Sequence, residues 1–503
     1  MAALVSGAGN TGVTNLVCIG DSMTAAIGGN AGVTTISRSS GVATLTVSGN
    51  HGAGTGEVCR IYNCSDTSFN TNGAAITYVG ASVLTYPSPG PDVGTASLNL
   101  SSIKTMQLQR SSIQNDTSYL FWLNAKSRGA FRLLANAGCS GQNSADMAAR
   151  YATDVVPLAA GIIVIWTGYN DFNNAIAAFT ADQVYTNVLS MIVQSPGKLI
   201  VVVSAVLWTT SGSAGVANTN RSEALKYNRK MRAYCNANGN LRFADAAKYM
   251  IDATNATRFA PLAGMLGSDN IHPSPKGVER VAQAIWEAVQ YQIPQPSRLV
   301  SSNADNYATD NTNPNVNAAQ PWTNTGGTNV GSPNVSTGPV AATLQVSNQA
   351  SAAGVTVGAC PARADGIGYD QQVTYTPASG SDTCMIGTLG YPGITPLTPG
   401  DKIVMLAELT MTGIAASNLK GVEVKLTMNS SPTVSVNLLK PQAPNSAGYP
   451  STAIDGVSLT LVSPEFIVPA GVTASDWQVI FTASAAGTAL TAKLGRISVE
   501  KIV

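Results

Sequence analysis

The sequence predicts an α/β domain on a parallel sheet, interrupted by a small all-β unit and followed by an all-β domain. Three observations carry this. Short apolar runs alternate with amphipathic helical stretches between about residues 103 and 294. A region of period-two alternation separates the first apolar run, Asn15 to Ile19, from the others. Beyond Pro294-Gln295-Pro296 the chain turns polar and the helical periodicity stops. Strands buried on both faces of a parallel sheet read as continuous apolar runs, whereas strands with one wet face alternate.

Taken in order, Asn15 to Ile19 is a short apolar strand that leads into Gly20-Asp21-Ser22-Met23-Thr24. Between Ala31 and Ser102 the runs Gly41 to Ser48, Glu57 to Tyr62 and Ala74 to Val79 alternate and are separated by turn-forming Gly, Asn, Asp and Pro. This reads as a small β unit inserted into the α/β domain. Strands then follow at Phe131 to Ala135, Gly161 to Thr167, Lys198 to Val206 and Leu241 to Asp245, with helices near Ser144 to Val155, Asp182 to Gln194, Arg221 to Asn238 and Pro275 to Gln292. The expected division is an α/β domain at 1–30 and 103–296, the insertion at 31–102, a linker at 297–312 and a β-sandwich at 313–503.

Composition limits the function classes. The 503 residues carry 28 Lys plus Arg against 27 Asp plus Glu, a net charge of +1, which excludes the basic footprint of a nucleic-acid binder. Charged residues are 11% of the chain, under half of the usual share of about 25%. The 44% hydrophobic fraction is enough for a core and excludes global disorder. The longest apolar stretch, Val155 to Trp166, contains Pro157 and Gly161 and falls short of the roughly 20 residues a spanning helix needs, so no membrane insertion is expected. The first residues, Met1 to Gly7, lack a basic and then apolar leader, so no signal peptide is expected. Seven cysteines with no CxxC pair do not suggest a zinc site. Cys59 with Cys64 and Cys360 with Cys384 are the disulfide options, and free buried thiols are the favoured reading.

The chain has two histidines, His51 and His272, so a histidine base has to be one of them. His51 sits in a turn of the small β unit with no acid nearby in sequence. His272 sits in Asp269-Asn270-Ile271-His272-Pro273, where a carboxylate three residues away can hold Nδ1–H and leave Nε2 free to take a proton. A loop hydrogen bond is the plain alternative. Ser22 of Gly20-Asp21-Ser22 ends the first strand, where a tight turn lifts a hydroxyl clear of the sheet; a helix N-cap is the plain alternative. Gly141 of Asn136-Ala-Gly-Cys-Ser-Gly141-Gln-Asn-Ser144 lies where backbone N–H groups approach a ligand at a helix start, or in an ordinary strand-to-helix turn. Asn170 of Gly168-Tyr169-Asn170-Asp171 follows a buried strand, and its amide can donate to a developing oxyanion or shape a turn. Trp166, Tyr169 and Trp208 fit either a sugar-stacking platform or the core, as do Trp322 and Trp477.

In this order and at these places the four elements resemble the blocks of the SGNH (GDSL-type) hydrolase family. The resemblance implies a flavodoxin-like α/β/α fold, ester or thioester hydrolysis, and neither metal nor cofactor. Residue by residue it implies Ser22 as nucleophile, His272 as general base and then acid, and Asp269 as the carboxylate that orients it. The backbone N–H groups of Ser22 and Gly141 and the amide of Asn170 would form the oxyanion hole. Ser22 and Gly141 are further apart than in the family, and the inserted β unit accounts for the excess.

The segments Gly41 to Val47, His51 to Val58 and Ser65 to Asn70 resemble small β-domains repeated in bacteriophage tail proteins, which implies a structural turn role for His51. The Asn/Thr/Gly-rich C-terminal region is similar to carbohydrate-binding sandwiches attached to such proteins. The expected function is therefore a serine esterase that removes O-acyl groups, foremost O-acetyl, from a bacterial surface polysaccharide (capsule or O-antigen). It would belong to a phage tail spike or fibre, in the virion at the host surface, with other tail proteins as partners. A homotrimer stays open, because tail spikes are usually trimeric while no coiled-coil heptads are present. The alternatives are a lipase or thioesterase of the same family, or a non-catalytic glycan-binding adhesin on a hydrolase scaffold. Polar, Gly-rich loops do not suggest the apolar acyl groove the first requires, and the intact Ser22, Asp269 and His272 set argues against the second.

Overall fold

The computed structural model describes residues 13–25, 30–47, 58–62, 64, 66–96, 105–108, 116–173, 178–207, 218–255, 259–294, 324–331, 335–349, 354–380, 382–388, 398–429, 434–439, 451–463, 465–468, 470–472 and 474–502. His51, Trp208, Trp322 and the linker expected at 297–312 lie outside them.

In chain order, strand β1 (Thr14–Gly20) runs into a single helical turn, α1 (Ser22–Ala25). The next eight strands form one antiparallel sheet: β2 (Asn30–Ser39), β3 (Val42–Val47), β4 (Val58–Tyr62), β5 (Thr71–Ala75), β6 (Thr77–Gly80), β7 (Val83–Pro87), β8 (Val93–Ala96) and β9 (Thr105–Leu108). Its own small core contains Ile36, Leu45, Ile61, Phe69, Leu84 and Tyr86. Strand β9 pairs with β2 and β4, so this sheet continues past residue 102, where the alternation placed the return to α/β structure. Four residues are too few to show a period, and the pairing that assigns β9 is made with strands far away in sequence.

The α/β region resumes with α2 (Tyr119–Lys126), β10 (Phe131–Gly138), α3 (Ser144–Asp154), β11 (Ile162–Trp166), α4 (Ala181–Ile192), β12 (Leu199–Val203), α5 (Asn218–Ala237), β13 (Leu241–Ala244), α6 (Ala247–Met250) and α7 (Pro275–Val289). The strands pair in parallel in the order β10-β1-β11-β12-β13. Numbered within this sheet alone the order is 2-1-3-4-5, the flavodoxin-like arrangement. All five residues of β11 and of β12 are buried, as expected of strands covered on both faces. Helices α3, α4 and α5 pack in series, and α2 packs on α7.

Helix α2 is absent from the expected elements. Its residues Tyr119 to Ala125 are all buried, because it lies between α7 and the C-terminal strand Ser458–Val462. A helix enclosed on every side has no polar stripe, so no helical period marks it in the sequence. Ser118 fixes its start by accepting from Leu120 N–H at 3.2 Å.

The C-terminal region forms two six-stranded sheets whose longest strands are Lys402–Thr412, Leu419–Asn429 and Leu490–Ile502. Val346, Ile386, Val479 and Phe481 of one sheet share a core with Tyr375, Met405, Leu409 and Leu494 of the other, and this core is continuous with that of the α/β region. Arg132 on β10 donates through Nε and Nη2 to Glu465 at 2.5 and 3.1 Å, which adds a bidentate ion pair between the two regions. Six of the seven cysteines are buried, and Cys360 is half-buried. Among the described residues no helix is long and apolar enough to cross a membrane.

Candidate active site

The five-stranded sheet delivers the candidate residues to one edge. Ligand sites in open α/β sheets form beyond the C-terminal strand ends where the strand order reverses, here between β1 and its neighbours β10 and β11. In register, Gly20 lies beside Gly138 of β10 on one side and Trp166 of β11 on the other. Ser22, the Gly141 loop and Asn170 follow those three strand ends directly.

Ser22 opens α1. Asp21 caps it by accepting from Met23 N–H at 2.9 Å, and its carbonyl takes the N–H groups of Thr24 and Ala25 at 3.1 and 3.0 Å. The turn is tight enough that a Cβ on Gly20 would come within 2.1 Å of Thr24 Oγ1 and 2.7 Å of the Trp166 carbonyl. The first N–H groups of a helix have no intrahelical acceptor, so that of Ser22 stays available to a ligand. Burial pushes the Asp21 carboxyl up to about 7, and the Asp171 charge adds to this against the hydrogen bond from Met23.

Opposite Ser22, a loop runs from Met265 to Ser274. It is held by Gly267 N–H on the His272 carbonyl at 2.8 Å and by Ser274 N–H on the Met265 carbonyl at 2.9 Å. Asp269 Oδ1 accepts from the N–H groups of Ile271 and His272, both at 3.0 Å, while Asn270 takes a left-handed φ of 58°. Asp269 Oδ2 lies 2.6 Å from His272 Nδ1, and His272 Nε2 lies 2.8 Å from Ser22 Oγ. A carboxylate only accepts, so Nδ1 carries the proton and Nε2 accepts from the Ser22 hydroxyl. Partial burial pushes Asp269 up, but the donors from His272 and the Ile271 and His272 N–H groups outweigh it and hold the carboxyl below its usual range. Pro273 and the Ser274 cap then start α7, which anchors the loop.

The Gly141 loop and Asn170 meet at Gln142. Asn170 is buried, and its Nδ2 donates to the Gln142 carbonyl at 2.8 Å, which leaves the second N–H of the amide for a ligand. Cys139 N–H donates to the Gly20 carbonyl at 2.9 Å, so the loop is also tied to β1. Gly141 has φ 81° and a Cβ there would meet nothing within 4 Å. Glycine is required at this position by its backbone conformation, not by a close neighbour.

Three groups the sequence reading did not single out brace this edge. Asp171 is fully buried and accepts from Thr167 Oγ1 at 2.7 Å, Gly168 N–H at 3.0 Å and Ser144 N–H at 2.8 Å, which joins the turn after β11 to the start of α3. Arg60 donates to the Gly138 carbonyl and Arg150 to Gln142 Oε1, at the two ends of the Gly141 loop. The Asp171 position had a signal, since it adjoins Asn170, and Arg150 had one in its i,i+4 spacing to Asp154; Arg60 had none. Trp166 and Tyr169 are buried, Trp166 in an edge-to-face contact with Tyr119 at 5.6 Å, and Trp477 is buried in the sandwich. Among the described residues no group of three or more His, Cys, Asp or Glu is placed to hold a metal ion.

Residues 105–280 match the GDSL-like Lipase/Acylhydrolase family model. No curated protein is significantly similar to the chain. Among solved structures, a lipase/acylhydrolase from Enterococcus faecalis is 18% identical over 36% of this chain and 88% of its own, with a TM-score of 0.30. A GDSL-like lipase from Bacteroides thetaiotaomicron is 19% identical over 35% of this chain and 85% of its own, with a TM-score of 0.29. An acetylxylan esterase from Geobacillus stearothermophilus is 17% identical over 56% of this chain and 95% of its own, with a TM-score of 0.31. The strand order and the family match together give the α/β region an SGNH-like α/β fold.

Proposed function

We propose that this protein is a serine esterase that removes O-acetyl groups from a bacterial surface polysaccharide, acting at the host surface as part of a phage tail spike or fibre. The single observation that carries the chemistry is the unbroken relay from Ser22 Oγ to His272 Nε2 at 2.8 Å and from His272 Nδ1 to Asp269 at 2.6 Å. A serine hydroxyl is a weak nucleophile until a base within hydrogen-bond reach takes its proton. As Ser22 Oγ attacks the ester carbonyl, His272 Nε2 accepts that proton and the Asp269 carboxylate stabilises the imidazolium. The N–H groups of Ser22 and Gly141 and the free N–H of Asn170 are directed to the charge that develops on the carbonyl oxygen. His272 then protonates the leaving alcohol, and water enters by the same relay to release acetate and restore Ser22.

The substrate and the particle rest on a different kind of support. The low-charge, Asn/Thr/Ser/Gly-rich β regions, one inserted in the α/β domain and one following it, suit contact with neutral glycans, and residues 41–70 resemble small tail-protein β-domains. Turnover of p-nitrophenyl acetate by the wild type and by Ser22→Ala tests the chemistry; equal rates would leave only a binding role. Acetate released from purified capsule or O-antigen, with chain length unchanged by mass spectrometry, tests the substrate. Antibody labelling of virion tails tests the location, and label confined to the host cell interior would remove it.

A further inference from the structure

We infer that Arg60, contributed by the small β sheet, is a positioning residue for the oxyanion loop; the inference rests on the esterase reading of Ser22, Gly141 and Asn170. Strand β10 is an edge of the parallel sheet, and the carbonyl of its last residue, Gly138, is taken by Arg60 Nη1 at 2.7 Å. Arg60 Nη2 donates to Asp154 Oδ2 at 2.9 Å, and Arg150 Nη1 donates to the same oxygen at 2.8 Å. Arg150 continues inward: its Nε donates to Gln142 Oε1 at 2.7 Å and its Nη2 to the Gly20 carbonyl at 3.3 Å. The Gln142 carbonyl in turn accepts from Asn170.

The loop that carries the Gly141 N–H is therefore gripped at both ends by guanidinium groups that share one carboxylate. The side chains of Arg60, Asp154 and Arg150 are only 7%, 9% and 15% exposed, so solvent screens this network little. A Cβ on Gly141 would meet nothing within 4 Å, so the bonds to Gly138 and Gln142, with the turn bond from Gln142 N–H to the Cys139 carbonyl at 3.4 Å, are what hold this loop in place. A planar guanidinium can hold a carbonyl and a carboxylate in one fixed fork, which an ammonium group cannot. Arg38 provides an internal reference. It is as deeply buried in the same β sheet, but its bonds to Pro89, Pro91, Ser68 and Ser88 all stay within that unit.

The test compares the full chain with Arg60→Met, Arg60→Lys and Arg38→Met. It reads kcat and KM for p-nitrophenyl acetate, and amide hydrogen exchange over residues 138–143. Misplaced catalytic groups cost rate more than binding, so Arg60→Met should lower kcat by about 10- to 100-fold with KM within about twofold, and speed exchange in the loop. Arg60→Lys should fall between, and it carries the test by itself if the Met variant does not fold. Arg38→Met should keep kcat within about twofold of the wild type. Wild-type kcat and exchange in the Arg60 variants would overturn the inference, as would an equal loss of kcat in Arg38→Met, because the effect would then belong to the β sheet in general. Full activity in Ser22→Ala would instead remove the esterase reading itself and, with it, any oxyanion for Arg60 to serve.

Discussion

In the α/β region, Asp21, Asn136, Ser144, Thr167, Asn170 and Asp171 are all buried, and all lie within a few residues of the C-terminal ends of β10, β1 and β11. In the C-terminal sandwich the buried polar groups are dispersed, each closing one local feature. Gln371 Oε1 accepts from Ala341 N–H at 2.8 Å, Ser463 Oγ from Met405 N–H at 2.8 Å, and Asp382 Oδ2 from Ala378 and Ser379 N–H at 2.7 and 3.2 Å. Each of the groups named in the two regions has a hydrogen-bond partner. The difference is convergence: in one region the pairing aims several groups at one place, and in the other it finishes turns and strand ends. Burial of polar groups therefore does not mark a site by itself, whereas their convergence on strand ends does.

Substitutions can break or sharpen this contrast. The largest effect is expected at the relay, where His272→Ala should lower kcat by about 10⁴-fold or more while His51→Ala stays within about twofold. Comparable rates for the two variants would reassign the base. Next, Asn170→Ala should reduce kcat by about 10²- to 10³-fold, the usual cost of losing an oxyanion donor. On the sandwich side, Asp382→Ala removes the acceptor of two part-buried N–H groups and should cost about 1 to 2 kcal/mol in denaturant unfolding, while kcat remains that of the wild type. A loss of turnover there would mean that the two regions are not functionally separate.

The last prediction concerns pH. Asp21 is pushed up to about 7 by burial, from 3.8, so the folded protein keeps a proton that the unfolded chain releases. Stability should then fall as pH rises from about 4 to about 7, by at most about 1.4 kcal/mol per pH unit from this group, and level off above. Asp21→Asn keeps the acceptor for Met23 N–H but cannot ionise. Its stability relative to the wild type should therefore rise across that interval, and parallel pH profiles for the two proteins would refute the assignment.

How much was legible in the sequence depended on how local each interaction is. The Asp269–His272 geometry is set within four residues, because the same carboxylate binds the intervening backbone N–H groups as well as the imidazole. Ser22, Gly141 and Asn170 each follow a strand directly, and a buried parallel strand announces itself by an unbroken apolar run. Helix α2 left no such trace, because its seven buried residues face two different partners and show no period. Strand β9 was too short to declare its sheet. The i,i+4 spacing of Arg150 and Asp154 marks their pair, but Arg60 gave no sign of the same carboxylate, because nothing in the spacing of Arg60 and Asp154 along the chain relates one to the other.

From the order of apolar runs, turns and short polar blocks, the sequence by itself determined the parallel sheet and the small groups that stand at its strand ends, since these depend on contacts between near neighbours. Only the tertiary structure decided that Ser22 and His272 stand 2.8 Å apart, that α2 is enclosed between α7 and the sandwich, and that an arginine of the small β sheet holds the Gly138 carbonyl. The physical reason is the same for all three. Such contacts gain their energy from burial and hydrogen bonding between segments that only the completed fold brings together, and no local pattern encodes them.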